Sequence, residues 1–270
     1  MRKVQPKKKL GQHFLKDKGI AERIASSLTG EGYMSVLEIG PGKGMLTGFL
    51  LQRNFSDFRV IEIDHESIDY LHGCFPCLQN ILTGDFLSMD IDRYFNGKLA
   101  ITGNFPYNIS SQILFKALSY RDKVMEITGM FQKEVAERIC ANPGSKTYGI
   151  LSVLLQAFYN AEYLFTVPEN VFDPPPKVKS AVIRLLRNNV DSLNCDESLF
   201  FKVVKACFNQ RRKMLRNSVK AAFNLKNYDL PMLTMRPEQL SVTDFVELTN
   251  QLAANITDDS TKLNHHCNWL

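Results

Sequence analysis

Short β-rich runs alternate with segments of helical spacing between residues 33 and 132, and this alternation limits the possible folds more than any other feature. The β-rich runs lie at residues 35–39, 58–63, 80–83, 99–102 and 126–131. Residues 112–118 are typical of the helical segments between them. Repetition of strand and helix predicts a mostly parallel sheet that helices cover on both faces.

The pattern changes after residue 132. Residues 149–159 predict a buried helix, and residues 162–167 and 180–186 predict two further strands. Prolines at positions 168 and 174–176 exclude a helix between these strands, so we expect the two strands to be antiparallel neighbours. The predicted fold class is therefore α/β, with a mostly parallel, Rossmann-like sheet that contains one antiparallel strand.

The C-terminal part of the chain carries helical patterns only. A polar linker at residues 187–197 precedes one long predicted helix at residues 199–223. Residues 236–252 indicate more helix, with Ser241 or Thr243 as candidate N-caps. We expect a first domain at residues 1–188, a small all-helical domain at residues 189–258, and a disordered tail at residues 259–270.

Composition excludes several classes of protein. No apolar run reaches the roughly 20 residues that a membrane span needs, and the basic N-terminus lacks the apolar stretch of a signal peptide. We therefore expect a cytoplasmic protein that is not bound to a membrane. The six cysteines do not form the pattern of a disulfide-stabilised protein. Cys74 and Cys77 lie in a predicted surface loop, and His265, His266 and Cys267 lie in the predicted tail, so we expect neither a redox site nor a metal site.

Two basic clusters flank a more balanced central region, within a net charge of +5. The first comprises Arg2, Lys3, Lys7, Lys8 and Lys9, and the second comprises Lys202, Lys205, Arg211, Arg212, Lys213, Arg216 and Lys220. Such clusters suit a protein that grips a phosphate backbone, but charge alone favours the simpler interpretation of two solvated surfaces.

A glycine-rich loop follows the first predicted strand and opens a helix, with the sequence Glu38-Ile39-Gly40-Pro41-Gly42-Lys43-Gly44. Glycines at alternate positions permit a tight turn and let a ligand approach the backbone. Glu62 lies 22 residues after Gly40, the separation at which a carboxylate accepts from ribose hydroxyls. Asp85 ends the third strand, where it can accept from an adenine amine while Phe86 lies against the ring.

The loop alone is compatible with NAD or with another nucleoside, and the three carboxylates are compatible with ordinary strand ends. The spacing G-x-G-x-G differs from the G-x-G-x-x-G of dinucleotide sites. A pyrophosphate also prefers a helix N-terminus without an acid, whereas Glu38 suits a ligand that carries an ammonium and a sulfonium. These details favour S-adenosylmethionine as the cofactor, released as S-adenosylhomocysteine.

The tetrapeptide Asn104-Phe105-Pro106-Tyr107 follows the fourth strand, at the edge where such sheets bind ligands. An adenine amine is a poor nucleophile because its lone pair is delocalised into the ring. The Asn104 side-chain oxygen and the Phe105 carbonyl can accept both amine hydrogens and favour a tetrahedral nitrogen. Pro106 fixes the backbone, and Tyr107 offers a stacking face worth roughly 1–3 kcal/mol. The alternative is an ordinary turn.

The target base has to leave its stack to enter such a pocket. Phe172 lies in the loop with the three consecutive prolines, which we expect to be stiff. We therefore predict that Phe172 covers the second face of the base.

These motifs resemble those of the rRNA adenine N6-dimethyltransferases over about residues 7–247, and most closely the bacterial members that act on small-subunit RNA. The resemblance rests on Lys8-Lys9-Leu10-Gly11-Gln12-His13-Phe14-Leu15, the glycine loop, Val60-Ile61-Glu62-Ile63-Asp64, Gly84-Asp85-Phe86, Gly103-Asn104-Phe105-Pro106-Tyr107-Asn108-Ile109-Ser110, Gln132-Lys133-Glu134-Val135, the triple-proline loop through Ser180-Ala181-Val182, and Phe208-Asn209-Gln210-Arg211-Arg212-Lys213.

The resemblance implies a class I methyltransferase domain with a seven-stranded sheet and a small helical domain. It implies cofactor contacts from His13, Leu15, Gly40, Glu62, Asp85 and Asn104. From the two basic clusters we expect RNA contacts by Lys7, Lys8, Lys9, Arg211, Arg212, Lys213 and Arg216. The resemblance implies a monomer that dimethylates two adjacent adenosines in a hairpin loop near the 3′ end of 16S rRNA, within an immature 30S particle, with a role in small-subunit biogenesis. It also implies that the N-terminal segment closes over the cofactor and touches RNA.

Two residues depart from the family pattern. His13 stands where Asn is common, and Phe105 stands where Leu is usual. We expect modest effects, because either His or Asn can hydrogen-bond the cofactor and only the backbone of residue 105 is needed. Three alternatives stay open: a 23S rRNA adenine methyltransferase of the macrolide-resistance type, a DNA adenine methyltransferase, and a ribosome assembly factor that acts mainly by binding.

Overall fold

The structure is a computed structural model, and it describes residues 4–257 of the chain. Two units make up these residues. The first comprises the described part of Met1–Ala136 together with Asn160–Arg187, and the second comprises Glu137–Tyr159 together with the described part of Asn188–Leu270. The predicted tail at residues 259–270, with His265, His266 and Cys267, lies outside the described residues, as do Arg2 and Lys3.

The first unit contains a seven-stranded sheet and a two-stranded sheet. Its strands are β1 (Phe14–Leu15), β2 (Ser35–Ile39), β3 (Asp57–Glu62), β4 (Ile81–Thr83), β5 (Leu99–Asn104), β6 (Val124–Gln132), β7 (Tyr159–Val167), β8 (Phe172–Asp173) and β9 (Ser180–Arg187). The helices along this stretch are α1 (Lys18–Ser27), α2 (Met45–Gln52), α3 (His65–Cys74), α4 (Ser110–Ser119) and α5 (Lys133–Ile139). Short 3-10 turns lie at Lys8–Leu10, Ile91–Arg93 and Glu169–Val171.

The large sheet has the strand order β4-β3-β2-β5-β6-β9-β7. Strand β2 pairs in parallel with β3 on one side and with β5 on the other. Strand β9 runs antiparallel to β6 and neighbours β7. The predicted fold class and the adjacency of the last two strands are therefore confirmed. From β2 the chain continues to β3 and β4 on one side, and it then crosses to β5 on the other side of β2. Ligands bind at such a switch point, outside the carboxyl ends of the strands.

The central strands are apolar on both sides because helices cover both faces of the sheet. Val36, Leu37 and Ile101 are fully buried, which is the pattern expected of a parallel sheet. A cluster on one side joins Ile24 of α1 and Leu50 of α2 with strand residues such as Val36.

The second unit is helical, with α6 (Ile150–Gln156), α7 (Glu197–Asn209), α8 (Leu215–Ala222), α9 (Val242–Ala253) and 3-10 turns at Pro231–Thr234 and Pro237–Gln239. Apolar residues of α7 and α9 form its core, where the rings of Phe208 and Phe245 lie 5.8 Å apart. Ser241 caps α9 through a reciprocal pair of hydrogen bonds with Asp244, as one of the two predicted N-caps.

Residues 149–159 belong to this second unit, although the sequence places them in the first domain. Helix α6 packs against α7 and α9, and its residues Leu151–Leu155 are buried there. A single domain boundary cannot describe this unit, because a segment between two strands of the sheet contributes part of the helical core.

The single helix predicted at residues 199–223 is wrong. Helix α7 ends at Asn209, and α8 begins at Leu215. An uninterrupted helix would continue the buried stripe of Val204, Cys207 and Phe208 to position 211, which is an arginine. Burial of an unpaired guanidinium is costly, so the chain leaves the helix and exposes residues 210–214, which we call the basic loop.

No helix among residues 4–257 is long and apolar enough to cross a membrane. In the same stretch of chain, no cluster of His, Cys, Asp and Glu side chains could hold a metal ion.

Close packing of glycines around Phe105 yields a prediction about stability. A Cβ on Gly129 would lie 2.4 Å from the Phe105 ring and 2.6 Å from the Gly103 carbonyl oxygen. We expect Gly129→Ala to lower the free energy of unfolding by about 1–3 kcal/mol through overpacking. Gly97→Ala is the matched control, because a Cβ there meets nothing within 4 Å. Urea unfolding measures both, and equal midpoints for the two variants would contradict the expectation.

Candidate active site

A cavity of about 270 Å³ opens at the carboxyl ends of β2, β3 and β5. Its walls come from the N-terminal residues 9–15, the glycine loop 38–43, residues 61–63, residues 84–87 and residues 104–109. These segments include His13, Leu15, Gly40, Glu62, Asp85, Asn104, Phe105, Pro106 and Tyr107. The sheet therefore brings together most of the residues that the sequence singles out, from five separate stretches of the chain.

The glycine loop lies directly against the cavity. The amide of Gly40 donates to the Ile61 carbonyl at 2.9 Å, which fixes the start of the loop to β3. Gly42 has a φ of 54°, and a Cβ there would lie 2.8 Å from the Phe14 ring. Both the left-handed backbone and the ring contact require glycine at this position.

Glu62 ties the glycine loop to the end of β3. Its carboxylate accepts from the amides of Gly42 at 3.1 Å, Ile63 at 2.9 Å and Asp64 at 3.0 Å. Burial raises the pKa of Glu62 even though these donors act to lower it. Three of about four acceptor positions on the carboxylate are filled, so a bond to two ribose hydroxyls would require one backbone hydrogen bond to be exchanged.

Glu38 is the most deeply buried acid of the cavity wall. Its carboxyl accepts from the Thr47 hydroxyl at 2.7 Å. Burial, and then the nearby charge of Glu62, raise the pKa of Glu38 to about 8, although the Thr47 bond acts to lower it. Without a cationic ligand this carboxyl is mostly protonated at neutral pH, and a cation in the cavity favours its ionised form.

The loop after β4 carries Asp85 and Phe86. The Asp85 carboxylate accepts from the Leu87 amide at 2.9 Å, which leaves its second oxygen for a ligand. Lys116 of α4 holds this loop from behind, because its ammonium donates to the carbonyl oxygens of Leu87, at 2.8 Å, and Met89. The same ammonium lies 5.4 Å from the centre of the Phe86 ring.

Lys116 is a residue that the sequence does not identify. Burial lowers its pKa, although the charges of Asp85 and Asp90 act to raise it. The sequence pattern does not distinguish this lysine from the other polar residues of a predicted amphipathic helix. Its role depends on which loop the sheet order places beside α4.

Asn104 is oriented by the N-terminal segment. Its side-chain nitrogen, Nδ2, donates to the carbonyl oxygen of His13 at 2.8 Å. Because the nitrogen is committed, the side-chain oxygen of Asn104 is available as the acceptor that methylation of an amine needs. The backbone of Phe105 is fixed as well, since its amide donates to the Met130 carbonyl at 3.2 Å and its ring lies 4.9 Å from that of Phe131.

Tyr107 lies between two contacts. Its hydroxyl is hydrogen-bonded to that of Ser180, and its ring centre lies 5.7 Å from that of His13, with an angle of 27° between the planes. The Nδ1 atom of His13 lies 2.8 Å from the Pro174 carbonyl oxygen. His13 therefore contributes a backbone acceptor to Asn104 and a ring beside Tyr107, and its predicted contact with the cofactor stays a prediction.

Phe172 is not among the residues that line the cavity, and its predicted contact with the target base stays a prediction. It is 1% exposed and packs with Leu15, Ile24 and Val182 in the apolar cluster of the first unit. Strand pairing is the reason, because β8 pairs with β1 and sets Phe172 opposite Leu15. A phenyl ring gains more from this apolar contact than from water.

The predicted RNA-contacting residues differ in their surroundings. The ammonium of Lys7 is paired with Asp64 at 2.5 Å and with Glu66 at 3.0 Å, whereas Lys8 and Lys9 are exposed. In the second unit, Arg211, Arg212 and Lys213 are exposed in the basic loop. The guanidinium of Arg216 donates to the Tyr228 carbonyl at 3.0 Å.

The residues present fit S-adenosylmethionine. Gly40 and Gly84 both line the cavity, and a Cβ on either would meet nothing within 4 Å, so a ligand can lie against the backbone there. Glu38 offers a carboxyl of raised pKa for a cationic ligand. Glu62 and Asp85 offer carboxylate oxygens for hydroxyl and amine donors.

Residues 3–256 match the family model described as ribosomal RNA adenine dimethylase. The chain is 59% identical over 257 residues to a ribosomal RNA small subunit methyltransferase A from Cytophaga hutchinsonii, covering 94% of this chain and 99% of the relative.

Two solved structures are similar as well. A dimethyladenosine transferase from Plasmodium falciparum has a TM-score of 0.74 at 27% identity, covering 91% of this chain and all of that one. The 23S rRNA methyltransferase ErmE has a TM-score of 0.67 at 25% identity, covering 88% of this chain and all of that one.

The raised pKa of Glu38 predicts that binding of S-adenosylmethionine releases a proton. The carboxyl is mostly protonated at about pH 7 before binding, and a ligand cation favours the carboxylate, so affinity rises as the pH rises toward the pKa. Titration calorimetry in buffers of different ionisation enthalpy measures the release. We expect Glu38→Gln to bind with less proton release, since the ligand's own amine contributes equally in both proteins. Equal release from wild type and variant would contradict this assignment.

Proposed function

This chain belongs to the ribosomal RNA adenine dimethylase family, and from that premise we propose that it transfers methyl groups from S-adenosylmethionine to the N6 amines of two adjacent adenosines in 16S rRNA. The target bases lie in a hairpin loop near the 3′ end of that RNA, in an immature 30S particle. The orientation of Asn104 carries the proposed methylation of an amine, because an amide at the cavity wall whose nitrogen is bound to the His13 carbonyl keeps its oxygen available as an acceptor.

The chemistry follows from what the residues can hold. S-adenosylmethionine supplies a methyl group on a sulfonium, which is an electrophile. The side-chain oxygen of Asn104 and the carbonyl of Phe105 accept the two amine hydrogens, so the nitrogen lone pair points out of the ring plane. Tyr107 supports the face of the adenine. No strong base is needed, because the methylated nitrogen is cationic and loses its proton readily.

Alignment contributes the rest of the rate. Holding the two reactants in line makes their encounter intramolecular, and this lowers the activation barrier by up to about 7–11 kcal/mol. The packing of Phe105 against Phe131 and Gly129 supports such alignment, because it leaves its carbonyl little freedom. The substitution of Phe for the usual Leu at position 105 is thus accommodated by the absence of a side chain at Gly129.

The small subunit is favoured over the large one as the source of substrate. Identity to a relative named for small-subunit RNA is 59%, against 25% to ErmE, which is named for 23S rRNA. We further propose that the protein acts as a monomer in the cytoplasm, where ribosomes are assembled, and that this activity accompanies small-subunit biogenesis.

RNA binding is assigned to both basic regions. Lys9 lies in the wall of the cavity, and Lys7 and Lys8 precede it in the N-terminal part of the chain. In the region proposed as the RNA-binding domain, residues 189–258, the basic loop presents Arg211, Arg212 and Lys213 to solvent, and Arg216 follows in α8. Exposed guanidinium and ammonium groups bind phosphates without the cost of breaking a buried pair.

The substrate is tested by offering immature 30S particles, protein-free 23S rRNA and duplex DNA with labelled S-adenosylmethionine. We expect label in the 30S particles alone, at two adjacent adenosines that mass spectrometry of the modified RNA identifies. Label confined to 23S rRNA, or a preference for duplex DNA, would overturn the proposal.

Asn104→Ala is the control for mechanism in the same assay. It removes the acceptor for the amine and should abolish methylation, while binding to the particle largely survives. Turnover equal to that of the wild type would refute the role of Asn104. Unimpaired assembly of small subunits in cells that carry this variant would indicate that binding contributes apart from catalysis.

The basic loop yields a separate prediction about salt dependence. Arg212→Gln removes one exposed charge and should weaken RNA binding while lowering the slope of log affinity against log salt by about 1. Lys226→Gln, an exposed lysine elsewhere in the second unit, is the matched control. If both variants show the slope of the wild type, the basic loop does not contact phosphates.

A further inference from the structure

Two side chains of the N-terminal segment, residues 7–13, are fastened to one buried carboxylate. The Lys7 ammonium lies 2.5 Å from Asp64 Oδ1, and the Gln12 amide nitrogen lies 3.4 Å from Asp64 Oδ2. The Gln12 side-chain oxygen in turn accepts from the Lys7 backbone amide at 2.9 Å. We call Lys7, Gln12 and Asp64 the clasp.

Asp64 is a rigid anchor for the clasp. Its side chain is 1% exposed and caps α3 by accepting from the Glu66 amide at 3.2 Å. Its backbone amide donates to Glu62 at 3.0 Å, so the clasp is attached to the acid that holds the glycine loop. Burial acts to raise the pKa of Asp64, but the hydrogen bonds from Lys7 and Gln12 hold it below its usual value.

The segment between the clasp and the active site is short and internally bonded. The amides of Leu10 and Gly11 donate to the carbonyls of Lys7 and Lys8, each at 3.0 Å. Gly11 lies so near Asn108 that a Cβ there would be 2.5 Å from the side-chain oxygen. A turn fixed in this way transmits the position of Lys7 to His13.

The far end of the segment sets the direction of the Asn104 amide. The two ends of an amide differ only in that one accepts and the other donates. The His13 carbonyl selects the state in which Nδ2 points to the segment, at 2.8 Å. If this carbonyl moves away, nothing in the described contacts of Asn104 prevents the amide from turning its donor toward the substrate amine, which is also a donor.

We propose that Lys7 and Asp64 are positioning residues for methyl transfer, because the clasp holds the His13 carbonyl where it orients Asn104. This inference rests on the proposed role of Asn104 as the acceptor of the amine. It assigns Lys7 a task within the protein, whereas the sequence predicts only a contact with RNA phosphates.

The two roles of Lys7 predict different kinetics. A phosphate contact contributes to RNA affinity, so its loss raises KM and leaves kcat unchanged. A positioning residue acts on the bound complex, so its loss lowers kcat at saturating RNA and S-adenosylmethionine. We expect Lys7→Met to lower kcat about tenfold, and Lys8→Met, which removes an exposed charge, to change KM for RNA only.

Hydrogen exchange without RNA gives a readout that does not depend on activity. The amides of residues 10 and 11 should exchange faster in Lys7→Met than in wild type, and Lys18→Met, which removes an exposed lysine of α1, should match wild type. Asp64→Asn keeps a capping side chain for α3 but loses the charge, and should lower kcat to a similar degree. The kcat of the double variant should be no lower than that of either single variant, because both substitutions break the same ion pair.

The proposal is overturned if Lys7→Met behaves as Lys8→Met does, with a change in KM and none in kcat or in hydrogen exchange. It is also overturned if the effects of Lys7→Met and Asp64→Asn on kcat multiply in the double variant. Asn104→Ala separates this failure from failure of the proposed function. If Asn104→Ala loses methylation and Lys7→Met keeps the kcat of the wild type, only the positioning role of the clasp is refuted. If Asn104→Ala stays active, the proposed role of Asn104 is refuted as well.

Discussion

The parallel pairing of β2 with both β3 and β5 is the constraint on which the site depends. It places the glycine loop, Glu62 and Asn104 at the same edge of one sheet, although they lie on three separate strands. Covering helices make this arrangement rigid, since strand residues such as Leu37 and Ile101 are buried. Polar groups that are held at the ends of buried strands keep fixed dipoles around a reacting amine with little reorganisation.

Buried acids at this edge act in two ways. Glu62 is held by three backbone amides and works first as a structural tie between β3 and the glycine loop. Glu38 has one hydroxyl donor and a pKa of about 8, so it responds to the charge of what enters the cavity. A buried glutamate at this edge thus either stabilises the loop or is available to pair with a cation, according to the hydrogen-bond donors that surround it.

The N-terminal segment completes the site from outside the sheet. Its ends are fixed at Asp64 and Asn104, and these anchors belong to the elements that bear the proposed cofactor and amine contacts. A methyl donor and an acceptor have to be aligned together, and a segment fastened at both ends is a direct way to couple them. The side chain of Phe172 packs against Leu15, which follows directly after the segment, and so supports the segment at that end.

The sequence alone determined the strands of the sheet, the glycine loop and the tetrapeptide at 104–107, and it limited the cap of α9 to Ser241 or Thr243, because periodicity, spacing and capping are local properties of the chain. Only the tertiary structure decided how Asn104 is oriented, since its partner His13 is 91 residues away. It also decided that Lys7 pairs with Asp64, that Lys116 holds the Asp85 loop, that Phe172 is buried, and that residues 137–159 join the helical unit. The physical reason is common to all of these. The energy of a buried pair depends on which segments the strand order brings together, and a linear pattern does not contain that order.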